Sequence, residues 1–165
     1  MIENILIEGI DRAGKTTLAK ELRNALGWDG LFLGHRQDRD QYQRYQRAYD
    51  YCQQTVIERG HISEAVYSEL FSREDPFTKA EIMQLNEGLA TTLVIYASPE
   101  LERALERYQE KTLKQTISRD DIKNGLLAFQ DWFDNYSYPF CLSYSSHDFE
   151  EMAEVVKQAQ GMVKQ

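Results

Sequence analysis

The stretch NILIEGIDRAGKTT, Asn4 to Thr17, decides the fold. Its first half, Ile5-Leu6-Ile7, is a short apolar run, and residues 4–8 read as a buried strand. The strand runs directly into Gly9-x-x-x-x-Gly14-Lys15-Thr16, with Thr17 behind it. The two glycines let the backbone wrap closely, so that the N–H groups of the loop, Ala13 among them, point inward at an anion. Lys15 has the reach for the β- and γ-phosphates of a nucleotide. Thr16 offers a hydroxyl to Mg²⁺, and the helix that follows presents its positive end. The four fixed positions recur by chance in under about 1% of chains of this length, and the strand before and helix after are the context the motif needs.

Outward from this loop the chain alternates between strand and helix. A helix is predicted over 15–26, with Leu18, Leu22 and Leu26 on one face, and a second strand over 31–34. A helix rich in Tyr, Gln and Arg follows over 40–54, then a strand over 55–58. Helices at about 61–71 and 78–88 precede the clearest buried strand, TLVIYA at 92–97. A helix from Pro99 to about Lys111, another from Arg119 to Tyr136, a strand at 140–144 and a helix at 149–163 complete the chain. Such alternation predicts an α/β protein, a three-layer P-loop NTPase fold with a five-stranded parallel sheet and helices on both faces. Ligands in these sheets bind at the C-terminal ends of the strands. There are no repeats and no Pro-, Gly- or Ser-rich linkers, so residues 1–165 read as a single domain.

Composition excludes several classes. The 165 residues carry a net charge of −8, which argues against a broad nucleic-acid surface but not against a small phosphate ligand. No apolar run approaches the roughly 20 residues of a membrane span, and the N-terminus predicts no signal peptide. Cys52 and Cys141 are the only cysteines and read as reduced thiols, so a cytoplasmic location is expected.

At Glu8-Gly-Ile-Asp-Arg-Ala-Gly-Lys-Thr-Thr17 the sequence resembles the P-loop of thymidylate kinases, close to E-G-x-D-x-x-G-K-[ST]-T. The resemblance implies that Asp11 contacts the sugar 3′-hydroxyl of the acceptor nucleotide and that Arg12 reaches the phosphates in transfer. A guanidinium there would stabilise developing charge through two oxygens at once. A second segment, Glu58-Arg-Gly-His-Ile-Ser-Glu-Ala-Val-Tyr67, is similar to the family pattern D-R-[YF]-x-x-S-x-x-A-Y. Arg59, Ser63 and Tyr67 match in register, whereas Glu58, Gly60 and Val66 depart from it. The match implies that Arg59 binds a phosphate, that Tyr67 lies at the acceptor, and that Glu58 joins Thr16 at Mg²⁺. His61 carries no implied role.

The implied activity is transfer of the γ-phosphoryl of ATP·Mg²⁺ to a deoxynucleoside monophosphate, dTMP or a similar pyrimidine. Lys15, Arg12, Glu58 and Arg59 would act as the catalytic set. The loop after the second strand, Gly34-His-Arg-Gln-Asp-Arg39, offers Arg36 to the acceptor phosphate. Two alternatives stand beside this reading. Deoxynucleoside kinases carry E-R-S followed by S-D-R at this place, and here Glu58, Arg59 and Ser63 fit. A nucleotide-binding protein without turnover would keep the loop and lose the chemistry. Tyr42, Tyr45 and Tyr49 share one helix face, as core or as a base pocket. A short lid is expected at about 108–118; it holds lysines but no arginine, consistent with Arg12 supplying that function. Arg103, Arg107 and Lys111 share a face of the helix before it. For partners the resemblance implies ATP, a small nucleotide acceptor and a homodimer joined through a helix face.

Overall fold

The computed structural model describes residues 1–35, 40–109, 118–146 and 148–164. The elements run β1 (Asn4–Gly9), α1 (Lys15–Leu26), β2 (Asp29–Phe32), α2 (Gln41–Tyr51), β3 (Thr55–Glu58), α3 (His61–Leu70), α4 (Lys79–Glu87), β4 (Thr92–Ala97), α5 (Leu101–Gln109), α6 (Arg119–Asn135), β5 (Phe140–Tyr144) and α7 (Phe149–Val163). The sheet is five-stranded and wholly parallel, in the order β2-β3-β1-β4-β5. Central strands β1 and β4 are buried along their whole length, and Ile5, Leu6 and Ile7 expose no surface. Burial of each such side chain stabilises by roughly 1.5–3 kcal/mol. One apolar layer packs α1, α7, α3 and α6 against one sheet face; the other, with Tyr45, Tyr49, Phe77 and Leu85, packs α2 and α4 against the opposite face. Consecutive strand numbers jump across β1, so a topological switch point lies at its C-terminal end, where the phosphate loop begins.

The structure places the second strand at Asp29–Phe32 rather than 31–34, ends the second helix at Tyr51 rather than at 54, and starts α5 at Leu101 rather than at Pro99. β2 is an edge strand with its first residues exposed, so it needs no continuous apolar run. α1 ends on Gly27, in the left-handed region at φ 71°, whose N–H donates to Arg23 O, and Asp29 N–H at once joins Gln54 O. The ladder continues past the strand, because Leu33 N–H donates to Glu58 O at 3.0 Å. The second helix stops at Tyr51, three residues early. The Asn4 side chain takes Cys52 O at 2.8 Å and accepts Thr55 N–H, and Gln54 turns through φ 51° into β3. Two later helix starts, at Thr78 and Ser118, form a reciprocal capping box with Glu81 and Asp121, and Asp148 caps α7 by accepting the Glu151 N–H at 2.8 Å.

Candidate active site

The loop from Gly9 to Lys15 is shaped by its glycines. Gly9 sits at φ 136°, and a Cβ there would overlap the carbonyl oxygen of Ala97 on β4. Gly14 sits at φ 77°, and a Cβ would lie 2.7 Å from Ser146 Oγ. No other residue allows this backbone to pass so close to β4 and to the loop after β5. Ala13 is fully buried beneath the loop, its N–H on Ile10 O at 3.3 Å.

Lys15 opens α1 and folds back over the loop. Its Nζ donates to Gly9 O at 2.7 Å and Ile10 O at 2.5 Å. Burial, reinforced by the Arg59 charge and offset by Asp11, Glu8 and Glu58, pulls its pKa down to about 8. Thr16 Oγ1 donates to Glu58 Oε2 at 2.7 Å across the gap between α1 and β3. A hydroxyl and a carboxylate held this close at the loop are hard oxygen donors, and they fit a Mg²⁺ that arrives with a nucleotide.

Asp11 and Arg59 form an ion pair in the middle of the site. Arg59 adopts φ 64° and lies over the rings of Phe32 and Tyr67 at 5.7 and 5.6 Å. Its Nε–H is buried with no hydrogen-bond partner among the described residues. Tyr67 Oη accepts the Asp11 N–H at 2.8 Å, and burial raises the pKa of that phenol. Arg12, at φ 67°, turns toward α5, where its Nη1 donates to Arg107 O at 2.8 Å and its guanidinium lies 5.6 Å from the Tyr108 ring. Arg107 answers by donating to Arg12 O, to Ser146 Oγ and to Ser146 O, at 3.2, 2.6 and 2.6 Å.

These residues separate two cavities that meet at Asp11 and Arg59. The larger, about 560 Å³, runs over the phosphate loop past Arg12, Gly14, Lys15, Thr16 and Thr17 to Arg107, Ser146 and Phe149. The smaller, about 250 Å³, lies between β2, α2 and α3, walled by Leu33, Tyr45, Ser63 and Tyr67, with His35, Glu64 and Arg73 at its polar side. His35 Nδ1 donates to Glu64 Oε1 at 2.8 Å, because a carboxylate oxygen can only accept.

Gly9, Asp11, Arg12, Ala13, Gly14, Lys15, Thr16, Thr17, Glu58, Arg59 and Tyr67 thus converge at one end of the sheet. Arg36 and the body of the expected lid, residues 110–117, lie outside the described residues. Of the tyrosine stripe, Tyr45 reaches the smaller cavity, Tyr49 is core against His61, and Tyr42 donates to Gln84 on α4. Sequence reasoning missed His35, Glu64, Phe71 and Arg73 as cavity walls, and gave Arg107 no site role. His35 and Ser146 follow strands β2 and β5, so strand-end position was a usable signal for them. Arg73, in the loop after α3, had none.

The chain matches no protein-family model, and no curated protein matches it. Its fold does match solved structures. The YorR protein of Bacillus subtilis, in complex with phosphorylated GDP, is 18% identical, with a TM-score of 0.84 over 98% of this chain and 95% of that one. Deoxyadenosine kinase from M. mycoides with bound dATP is 14% identical, with a TM-score of 0.66 over 96% and 99%. Thymidylate kinase from Candida albicans is 14% identical, with a TM-score of 0.62 over 99% and 91%. The chain therefore has the P-loop kinase fold.

Proposed function

We propose that this chain is a nucleotide kinase that transfers the γ-phosphoryl of ATP to the 5′-phosphate of a deoxynucleoside monophosphate, dTMP or a similar pyrimidine. One observation carries the proposal: a phosphate-loop cleft and a smaller walled cavity meet at a shared arginine, Arg59, whose Nε–H is buried and without a partner among the described residues. A buried donor left unmatched is costly, and an acceptor phosphate oxygen would satisfy it. The names of the similar structures, deoxyadenosine kinase and thymidylate kinase, support nucleotide chemistry in this fold.

In this reading ATP lies in the larger cleft and the monophosphate in the smaller cavity. Lys15 leaves its two carbonyls for the β- and γ-phosphates. Arg12 leaves the end of α5 for the oxygens of the phosphoryl group in flight. Asp11 accepts from the sugar 3′-hydroxyl, while Arg59 and Arg36 hold the acceptor phosphate and Tyr67 walls its site. An acceptor phosphate oxygen attacks the γ-phosphorus, the bond to the β-bridging oxygen breaks, and ADP leaves with that electron pair. Thr16 and Glu58 would hold Mg²⁺, which when bound neutralises charge on the phosphates. A monophosphate oxygen is already ionised and needs no base. Asp11 and Glu64, the carboxylates facing the smaller cavity among the described residues, are engaged with Arg59 and His35, which suits that acceptor.

The competing deoxynucleoside kinase is favoured by the pair Glu58-Arg59, since Glu58 could take the proton of a 5′-hydroxyl. ADP release with ATP·Mg²⁺, measured across deoxynucleosides and their monophosphates, separates the two. Turnover on monophosphates, abolished in Lys15→Ala, supports the proposal. Turnover on nucleosides alone replaces it with the nucleoside kinase. ATP binding without turnover on anything leaves a nucleotide-binding protein. A cytoplasmic location and a homodimer belong to the same proposal; among the described residues no helix is long and apolar enough to cross a membrane.

A further inference from the structure

Glu8 opens the first sequence motif and Ser63 sits in the second; Ser63 walls the smaller cavity, Glu8 lines neither cavity, and the phosphoryl transfer above gives neither a part. The fold puts them together. Glu8 is the last residue of β1 before the loop glycine, and it exposes none of its surface. Its Oε1 accepts the N–H of Gly60 at 2.7 Å and of Ser63 at 3.4 Å, and its Oε2 accepts the Ser63 hydroxyl. α3 has no side-chain cap of its own, because its capping position is Gly60. A carboxylate from another element therefore caps this helix, at the end where its dipole favours negative charge.

The residue this cap serves is Arg59. Its own N–H donates to Ile7 O at 3.1 Å, and the next N–H, of Gly60, donates to Glu8. Two adjacent residues of β1 thus grip the backbone on both sides of Arg59, which stands at φ 64°, where a non-glycine residue rarely rests. Gly60 completes the arrangement: a Cβ there would lie 2.8 Å from Glu8 Oε1 and 2.5 Å from Tyr49 Oη. The departure from the family's aromatic at this position leaves room for the clamp. Burial raises the Glu8 pKa, and the donors from Ser63 and Gly60 oppose that rise.

We infer that Glu8 is a positioning residue: its carboxylate, through Gly60 and Ser63, holds Arg59 in the left-handed conformation that aims the guanidinium at the junction of the two cavities. The inference rests on the kinase reading for its kinetic consequence, but its structural consequence does not. Glu8→Gln keeps the side-chain shape and removes the charge. Ser63→Ala removes one donor and keeps Glu8. The expected result in both is an acceptor KM raised at least fivefold, with KM for ATP within twofold of the unaltered chain and the melting transition still cooperative. A role in stability alone would lower the melting temperature and leave the ratio of the two KM values unchanged, and that result overturns the inference. A second readout needs no turnover. In the unliganded protein the Arg59 Nε–H NMR signal, assigned with Arg59→Lys, should be protected from exchange and should lose that protection in Glu8→Gln. A signal equally protected in both proteins also overturns it. If the unaltered chain turns over nothing, the kinase reading fails by itself and the exchange measurement still decides the role of Glu8.

Discussion

The two cavities share a wall, Asp11 and Arg59, but they are made differently. The loop of the phosphate cleft is one unbroken run, Gly9 to Thr17, and its geometry depends on backbone: two glycines that nothing else can replace, and a lysine parked on two carbonyls; the walls around that loop come from Phe32, Glu58, Arg107 and the segment from Tyr144 to Met152. The acceptor cavity is built from side chains drawn from four stretches: Asp11, Leu33 with His35, Tyr45, and the run from Arg59 to Arg73. A contiguous, backbone-made site tolerates almost no local change. A distributed site can be altered one wall at a time, which is where substrate choice is free to vary.

The largest expected effect is on the contiguous side. Lys15→Ala should lower kcat at least a thousandfold, about 4 kcal/mol, because the loop wraps its amine alone, on the carbonyls of Gly9 and Ile10, where the β- and γ-phosphates would lie. A loss under tenfold, measured by ADP release, would mean the cleft does not act on phosphates as drawn.

Next in size is a property of the distributed side. Behind the acceptor cavity His61 is fully buried. Its Nε2–H donates to Asn86 Oδ1 at 3.0 Å and its Nδ1 accepts from Tyr49 Oη at 2.9 Å, while Trp132 and Tyr138 extend the chain of bonds to the same Asn86 oxygen. Those partners suit a neutral ring, and burial pulls its pKa down to about 4. The unfolded chain takes up the proton near 6.5, so the folded state loses stability as pH falls from 6.5 toward 4, by about 3 kcal/mol. Glu8, with a raised pKa, acts in the opposite sense, so the comparison must be with a variant. Urea unfolding of His61→Gln should show that much less dependence on pH than the unaltered chain; equal slopes would show that His61 is charged in the fold.

Arg12 belongs to the contiguous motif but is held by the far side of the cleft, on the carbonyl of Arg107. Arg12→Ala should cut kcat about a hundredfold, about 2.7 kcal/mol, with KM for ATP changed less than threefold. A change in ATP KM alone would reassign Arg12 to tying α5 to the loop.

The same contrast explains what was legible. The parallel sheet, all five strands and the phosphate loop follow from apolar runs and from a motif whose spacing is fixed by the size of a phosphate. The start of β2 did not follow, because an edge strand carries its polar residues outward and satisfies itself through backbone alone. The end of α2 did not follow, because it is set by Asn4, distant in sequence. His35 meets Glu64 and Arg73 only when the loop after β2 is brought against α3 and the loop that follows it, and single residues so placed leave no pattern to read. Glu8 and Ser63 were visible as letters of two motifs; that they touch is a fact of register between β1 and β3, where Ile7 faces Glu58.

A smaller change tests the wall the cavities share. Tyr67→Phe removes the hydroxyl that accepts the Asp11 N–H but keeps the ring beneath Arg59 and against Phe71. A lost neutral hydrogen bond is worth about 1 kcal/mol. The expected result is an acceptor KM raised about fivefold with stability lowered by a similar free energy. If ATP KM rises instead, Asp11 serves the donor side of the wall.

The smallest effect reads the cleft without any chemistry. With its pKa pulled down to about 8 by burial, Lys15 is about half protonated at pH 8. Arriving phosphates favour the charged amine, so ATP binding at pH 8 should draw in about half a proton, and binding should weaken as pH rises further. Calorimetric titrations in two buffers of different ionisation enthalpy measure that proton directly, and Lys15→Met should abolish it. Uptake that persists in the variant would assign the proton to another group, and the depressed amine would then have no part in how the loop receives its nucleotide. Uptake that disappears would tie the burial of Lys15, folded back on the carbonyls of Gly9 and Ile10, to the affinity of the site for phosphate.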